Sequence, residues 1–366
     1  MEKLAELSAS TNAVKVVMSG MGGVGKTQIA RKFIEENRSK YANVIWINSE
    51  TEQAIIDAFK KLSEDTLQLS TINANGKEKD FSTVIEQVLH KLCQRKTLFV
   101  YDNVDSMQSM NVVLAMAPPP TEQKPHVFIT SRLQRWPTGI TVMLLDFWSP
   151  AEAFQFISKA VNDPHYDTDD DRNLLANTMQ YFPLALRQAT AYINQQRVFD
   201  HFKISQYVSE YMRNRRQMLQ SKIFQTDSNS PYQNTTYSTW SITIDTIRNV
   251  NLNGLGQLAI RIFNIIAYFQ PDLLERKWFF HLNFDDENQQ ADQKVEERIK
   301  SAVDLLIKYC MIDSQDKQES FNIHRLVQEV TKFNLKELHE EESIMYCLRF
   351  VAMPFQFSWL PCPILT

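Results

Sequence analysis

Apolar residues follow two rhythms along this chain, and the change between them falls near residue 149. Val14 to Met18 is a short β-branched run that stops at a glycine cluster, the pattern of a buried strand. From Thr27 the spacing turns helical, with Ile29, Phe33 and Ile34 apolar and charges between them. Val44 to Ile47 predicts a second strand. Ala54 to Leu67 predicts a helix on Ile55, Ala58, Phe59 and Leu62. Leu69 to Asp80 is polar and turn-like. Phe81 to Leu92 is another amphipathic helix, with Val84, Ile85, Val88, Leu89 and Leu92 on one side. Three more strand-like runs follow: Thr97 to Tyr101, His126 to Thr130 and Val142 to Leu145. Alternating strands and helices predict a mostly parallel sheet covered on both faces, with ligands at the carboxyl ends of its strands.

Beyond Ser149, an N-cap before Pro150, strand signals stop. Ala151 to Ala160, Arg172 to Gln180, Pro183 to Gln195 and Phe202 to Leu219 read as helices. Residues 221–239 read as a polar connector, and Leu255 to Tyr268 and Val295 to Tyr309 as further helices. Met311 to Asp313 and Phe321 to Ile323 pair into a small hairpin, and a last helix begins near His324. Helices followed by a hairpin suggest a winged-helix module. The sequence shows no internal repeat.

Composition narrows the classes. The chain has 366 residues, enough for two or three domains, and a net charge of −4 that gives no overall pull toward nucleic acid or anionic membrane. Cys93, Cys310, Cys347 and Cys362 are far apart and suggest neither a zinc cluster nor a disulfide framework, which fits a reducing, cytoplasmic compartment. Cys93 and Cys310 read as small buried apolar side chains. The first six residues carry acids and no apolar stretch, unlike a signal peptide. The apolar stretch from Ile344 to Thr366 is broken by Arg349, Gln356, Pro354, Pro361 and Pro363, so it reads as the cut or re-spliced end of a longer chain and not as a membrane anchor.

The string Gly20-Met21-Gly22-Gly23-Val24-Gly25-Lys26-Thr27 fits G-x-x-x-x-G-K-[ST] between a strand and a helix. Glycines let the backbone approach phosphate oxygens with no Cβ in the way. The amides form an anion nest reinforced by the helix N-terminus. Lys26 supplies a cation to the β/γ-phosphates, and the Thr27 hydroxyl is a Mg²⁺ ligand. Leu98 to Asp102 is an apolar strand ending in a carboxylate, suited to holding the Mg²⁺ shell; the alternative is an ordinary strand ending in an Asp-Asn turn. Asn103 stands where an acid would activate water, so hydrolysis is expected to be slow at most or to depend on a partner. Asp105, two positions on, is the remaining candidate base. The run ending Ile129-Thr130-Ser131-Arg132 brings a cation, Arg132, that can tell triphosphate from diphosphate.

Taken together these stretches resemble the NB-ARC family, the signal-transducing NTPases of plant resistance proteins and animal apoptosome proteins, and among them the subgroup carrying tetratricopeptide repeats. Gly20 to Gln28 is similar to that subgroup's loop almost letter for letter, and residues 100–105 to its acidic strand. Phe182-Pro183-Leu184-Ala185-Leu186 resembles the family's Gly-Leu-Pro-Leu segment, whose proline packs on adenine, with Tyr181 in place of the glycine. Thr239-Trp240-Ser241 and residues 267–272 resemble landmarks of its winged-helix region. Ile323-His324-Arg325 is similar to its Met-His-Asp motif, with Arg325 replacing the acid; the resemblance implies that His324 meets the β-phosphate of ADP.

The expected organisation is an α/β P-loop domain over 1–148, a helical domain over 149–220, the connector, a winged helix over 240–335 and a tail over 336–366. The family's adenine-contacting segment is not recognisable in residues 1–13, and no repeat array or effector domain is recognisable. The chain is therefore read as the switch core of a larger protein or a truncated isoform, with signalling partners reached through other domains. The resemblance implies ADP or ATP with Mg²⁺, a closed ADP form, an ATP form that assembles as a homo-oligomer, and defence or cell-death-like signalling in the cytoplasm. Three other readings stand beside it: a winged-helix DNA-binding regulator, a motor or kinase sharing only the loop, and a scaffold holding ADP. Mixed charges on 295–308 (Glu296, Glu297 and Asp304 against Arg298, Lys300 and Lys308) disfavour DNA.

Overall fold

The computed structural model describes residues 14–73, 76–116, 125–161, 166–198, 200–220, 231–250, 254–271, 274–279, 292–315 and 320–337. They form two compact units that divide between Asp146 and Phe147. The sequence readings at residues 1–13, at 221–230 and across 338–366 lie outside the described residues.

In the first unit, five parallel strands form one sheet: β1 (Lys15–Gly20), β2 (Asn43–Asn48), β3 (Thr97–Asp102), β4 (His126–Ser131) and β5 (Thr141–Leu145), in the order β2-β3-β4-β1-β5. Four helices cover it: α1 (Lys26–Asn37), α2 (Glu52–Lys61), α3 (Phe81–Leu92) and α4 (Met107–Ala115). This is an α/β P-loop NTPase sheet. Strand side chains alternate between faces. Val17, Phe99, Tyr101, Val127 and Ile129 pack in a core with α2, α3 and α4 residues such as Phe59, Val88 and Val113. Val16, Met18, Leu98, Val100 and Phe128 pack with Ala30 and Phe33 of α1 on the other face. Burial on both faces explains why these strands read as unbroken apolar runs.

The helix α4 was not anticipated. Its polar residues Gln108, Ser109 and Asn111 are interleaved with apolar ones, and Ser109 is itself buried, so they give no one-sided rhythm. The cap is clear only in three dimensions, where the Ser106 hydroxyl accepts from the Ser109 amide at 3.1 Å. The predicted helix over 54–67 is α2 plus one wide π-turn at Leu62–Thr66. Cys93 is a buried free thiol, whereas Cys310 is only partly buried.

Helices α5 (Pro150–Ala160), α6 (Asp169–Thr178), α7 (Pro183–Arg197), α8 (Ile204–Gln220) and α9 (Pro231–Arg248) begin the second unit. Ser149 opens α5 with a capping box closed by Glu152. The unit continues with α10 (Leu255–Ile266), β6 (Leu274–Glu275), α11 (Asp292–Lys308), β7 (Ile312–Gln315), β8 (Ser320–Ile323) and α12 (Arg325–Glu337). Its three strands form an antiparallel sheet in the order β6-β8-β7.

Here one reading needs correction. The polar connector placed over 221–239 ends by residue 230, because 231–239 are the first half of α9. Polar residues of this helix misled the pattern, since some of them face inward. Ser238, Thr239 and Thr243 are buried. Trp240 Nε1 donates to Thr331 Oγ1 at 3.1 Å, and Tyr237 donates to Asn334 Oδ1 at 3.0 Å. Tertiary packing, not propensity, makes this helix.

Candidate nucleotide-binding site

The glycine loop leaves β1 at Gly20, where the chain must pass within touching distance of β5. A Cβ on Gly20 would lie 2.3 Å from the Leu145 carbonyl oxygen, so no other residue fits. Val24 turns inward and is buried, anchoring the loop to the core. Gly25 caps α1 at φ 102°, in the left-handed region. The first turn of α1 holds no acidic residue, so its positive end is uncompensated by the chain itself. Gly22, Gly23 and the half-exposed Met21 complete the rim, with Gln28 just inside the helix.

Lys26 is only 7% exposed, and its Nζ donates to the carbonyls of Gly20 and Met21, each at 2.8 Å. Burial holds the ammonium's pKa down to about 8, from an ordinary 10.5. Asp105 and Asp102 work against that shift and Arg132 adds to it. The loop cation thus sits among the three strand-end groups anticipated from the sequence.

Asp102, 4% exposed at the end of β3, organises the site. Its Oδ1 accepts from Thr27 Oγ1 at 3.0 Å and from Thr130 Oγ1. Thr130, fully buried, also accepts the Asn103 amide at 2.9 Å. Thr130 is the residue that sequence reasoning passed over in favour of its neighbour Arg132. Strand order explains its role. β4 lies between β1 and β3, with Thr130 level with Met18 of β1, so its hydroxyl reaches the carboxylate at the next strand's end. The available signal was an apolar strand that turns polar at Thr130.

Asn103 takes φ 64° and turns its amide back to Asp102 Oδ2, at 3.4 Å. Asp105 is engaged elsewhere. Its Oδ1 accepts the Arg132 backbone amide at 2.7 Å, and its Oδ2 pairs with Arg132 Nε at 3.2 Å. The Arg132 guanidinium lies beside the loop, its Cζ 3.6 Å from where a Cβ of Gly22 would stand.

Mg²⁺ favours hard oxygen ligands and keeps several waters, using one or two carboxylates beside phosphate. Thr27 Oγ1 and Asp102 Oδ1, already within 3.0 Å of each other, fit that requirement. They would hold the ion, which would neutralise phosphate charge there.

Pro183 and His324 belong to the second unit. Pro183 is buried at the first position of α7. Tyr181 before it adopts φ 56°, the conformation a glycine would take, and its carbonyl accepts from Trp148 N at 3.1 Å. The substitution at this position therefore keeps the turn, at a strain of about 1–2 kcal/mol. His324 Nδ1 accepts the Leu326 amide at 3.2 Å, so the ring caps α12.

The sheet, loop and paired strand ends define a P-loop NTPase, a nucleotide-binding class. More narrowly, the first part of the chain carries an NB-ARC domain. The NB-ARC domain model matches residues 1–166, and a domain of unknown function (DUF7779) matches residues 250–340. The chain is 23% identical over 337 residues to a nucleotide-binding leucine-rich repeat (NLR)-like protein of Hyaloscypha variabilis, spanning 86% of this chain and 32% of that protein. It therefore covers about a third of that relative's length. It is also similar to the crystal structure of a signal transduction ATPase with numerous domains, a STAND protein with a tetratricopeptide repeat sensor, from Pyrococcus horikoshii. That match has a TM-score of 0.53 and 17% identity, and covers 94% of this chain and 44% of the other. No described helix is long and apolar enough to cross a membrane.

Proposed function

We infer that the chain is a nucleotide-controlled switch: closed with ADP, assembly-competent with ATP, and at most a slow ATPase. The observation that carries this is the division of labour around Asp102. Thr27 and Thr130 fix that carboxylate for Mg²⁺ and phosphate, while the next position, Asn103, offers no proton acceptor. A site built to hold polyphosphate without a water-activating acid suits retention better than turnover. We read 149–220 as the helical domain and 240–335 as a winged helix; the latter reading is supported by the order of α10, α11, the β7–β8 hairpin and α12. Defence or cell-death-like signalling, cytoplasmic location and oligomerisation in the ATP form extend the same reading.

A ligand shifts such a balance only through contacts it makes in one form and not the other. Pro183 at the base, Arg132 at the terminal phosphate and His324 at the β-phosphate of ADP are the proposed differential contacts. The purified chain, denatured and its released small molecules identified, is expected to yield ADP. His324→Leu is expected to release ADP about tenfold faster and to shift the chain toward assemblies, the size expected for one lost hydrogen bond to a charged group. Wild-type protein that is free of nucleotide and takes up none would sink the reading, as would a His324→Leu variant with unaltered release and oligomeric profile.

Lys26 also gives the binding a pH dependence. Only the ammonium meets phosphate, and a bound phosphate raises its pKa above the free value of about 8. Binding then takes up a proton above that pH, so affinity is full below it and declines as pH rises through it. The phosphates are fully ionised across this range and contribute no slope. Titrations at constant ionic strength should show affinity nearly flat up to about pH 8, then falling by as much as about tenfold per unit. A level profile to about pH 10 would contradict the assignment of Lys26 as the phosphate's counter-charge.

A further inference from the structure

Asp105 grips one residue twice. Its two carboxylate oxygens take the backbone amide of Arg132 at 2.7 Å and the Nε of the same side chain at 3.2 Å. The pair spans two strands, for Asp105 follows β3 and Arg132 is the first residue past β4. Both side chains are partly shielded, Asp105 at 20% and Arg132 at 39% exposure. A carboxylate holding the Nε edge fixes the plane of a guanidinium and the direction of its other edge. Here the plane lies against the loop, with Nη2 3.7 Å from where a Cβ on Gly22 would stand. A base for water would need its lone pairs directed at the nucleophile, whereas both oxygens of Asp105 are committed to Arg132.

The geometry points to Asp105 as a positioning residue: by holding Arg132 against the glycine loop it sets the preference for triphosphate over diphosphate. This rests on the reading that Arg132 meets the terminal phosphate, and the test separates the two. The sign of the effect is diagnostic. Removing a negative charge beside the loop, if Asp105 acted only through its field, would favour the more highly charged ATP. Loss of positioning acts the opposite way, because a wandering guanidinium no longer meets the extra phosphate.

The experiment measures affinities of the full chain for ADP and for a non-hydrolysable ATP analogue with an imido β–γ bridge. Wild type, Asp105→Asn, Arg132→Ala and the double variant are compared. Asparagine keeps an oxygen for the Arg132 amide and gives up the ion pair. The ratio of analogue to ADP affinity is expected to fall about tenfold in Asp105→Asn and in Arg132→Ala, the size of a hydrogen bond to a charged group. In the double variant it should fall by little more than in Arg132→Ala alone, since coupled residues are not additive. ADP binding in each variant reports that the fold is kept. A ratio that rises or stays level in Asp105→Asn while falling in Arg132→Ala overturns the positioning role and leaves the reading of Arg132 intact. Full additivity in the double variant, or loss of ADP binding by Asp105→Asn, overturns it as well. A level ratio in Arg132→Ala overturns both.

Discussion

Lys26→Met is expected to weaken ADP and ATP binding by about thirtyfold or more while leaving the fold in place. The size follows from the cost of leaving a buried charge without its partner, about 2–5 kcal/mol, where each 1.4 kcal/mol is about tenfold in affinity. The phosphate brings the negative charge, and Lys26 is the loop's own cation, held by the Gly20 and Met21 carbonyls at 2.8 Å. Burial has already stripped part of its hydration, and its pKa of about 8 reports that strain. A desolvated ammonium contributes strongly to an anion and little to stability without one. The methionine variant should therefore melt within a few degrees of the wild type, roughly what a change of 1 kcal/mol produces. Lys26→Arg is a second probe. It keeps the charge but needs room for a planar fork, and should recover only part of the affinity. Calorimetric titration with ADP, paired with thermal melts of each variant, checks both statements. Nucleotide affinity unchanged in Lys26→Met would remove the physical basis of the site.

The loop and the five strands were legible in the sequence because local chemistry alone dictates them. A glycine pattern ending in Lys-Thr has few uses other than wrapping an anion. The central strands β1, β3 and β4, buried on both faces, must be apolar throughout, while the edge strands β2 and β5 show themselves by their short β-branched and aliphatic runs. What stayed hidden depends on strand order. No property of residues 126–132 says that β4 inserts between β1 and β3, yet that insertion brings the Thr130 hydroxyl to Asp102. Arg132 drew notice for its charge, and its tie to Asp105 was invisible for the same reason. Asp105, read as a candidate base from its spacing, pairs with that arginine across two strand ends.

The second unit was less legible, and α9 shows why. Hydrophobic periodicity assumes that polar residues face water. In α9 the inward face carries Ser238, Thr239 and Thr243, and the Thr243 hydroxyl is satisfied by the Thr239 carbonyl at 2.9 Å. His324 carries the opposite lesson. Its resemblance to a family motif suggests a phosphate contact, whereas its geometry within the unit gives it a capping bond to the Leu326 amide.

Gly20→Ala is expected to destabilise the first unit by about 3 kcal/mol, the upper range for forcing atoms into a packed interior. The added methyl would lie 2.3 Å from the Leu145 carbonyl oxygen and 3.3 Å from Val24 Cγ2. Neither can withdraw cheaply, since Leu145 is paired in register with Gly20 and Val24 is buried. The midpoint of thermal unfolding for this unit should drop by about 10 °C. Gly22→Ala is the contrasting case. A Cβ there meets Arg132 atoms at 3.6 to 3.8 Å, ordinary contact, so stability should change by less than about 0.5 kcal/mol. That methyl would nonetheless stand between the loop backbone and the guanidinium, on the side where phosphate must approach. The two glycines should therefore separate, with Gly20→Ala losing stability and Gly22→Ala losing nucleotide affinity at full stability. Melting curves with and without ADP distinguish them. Gly20→Ala melting like the wild type would mean that β1 and β5 do not approach as closely as the loop's path requires.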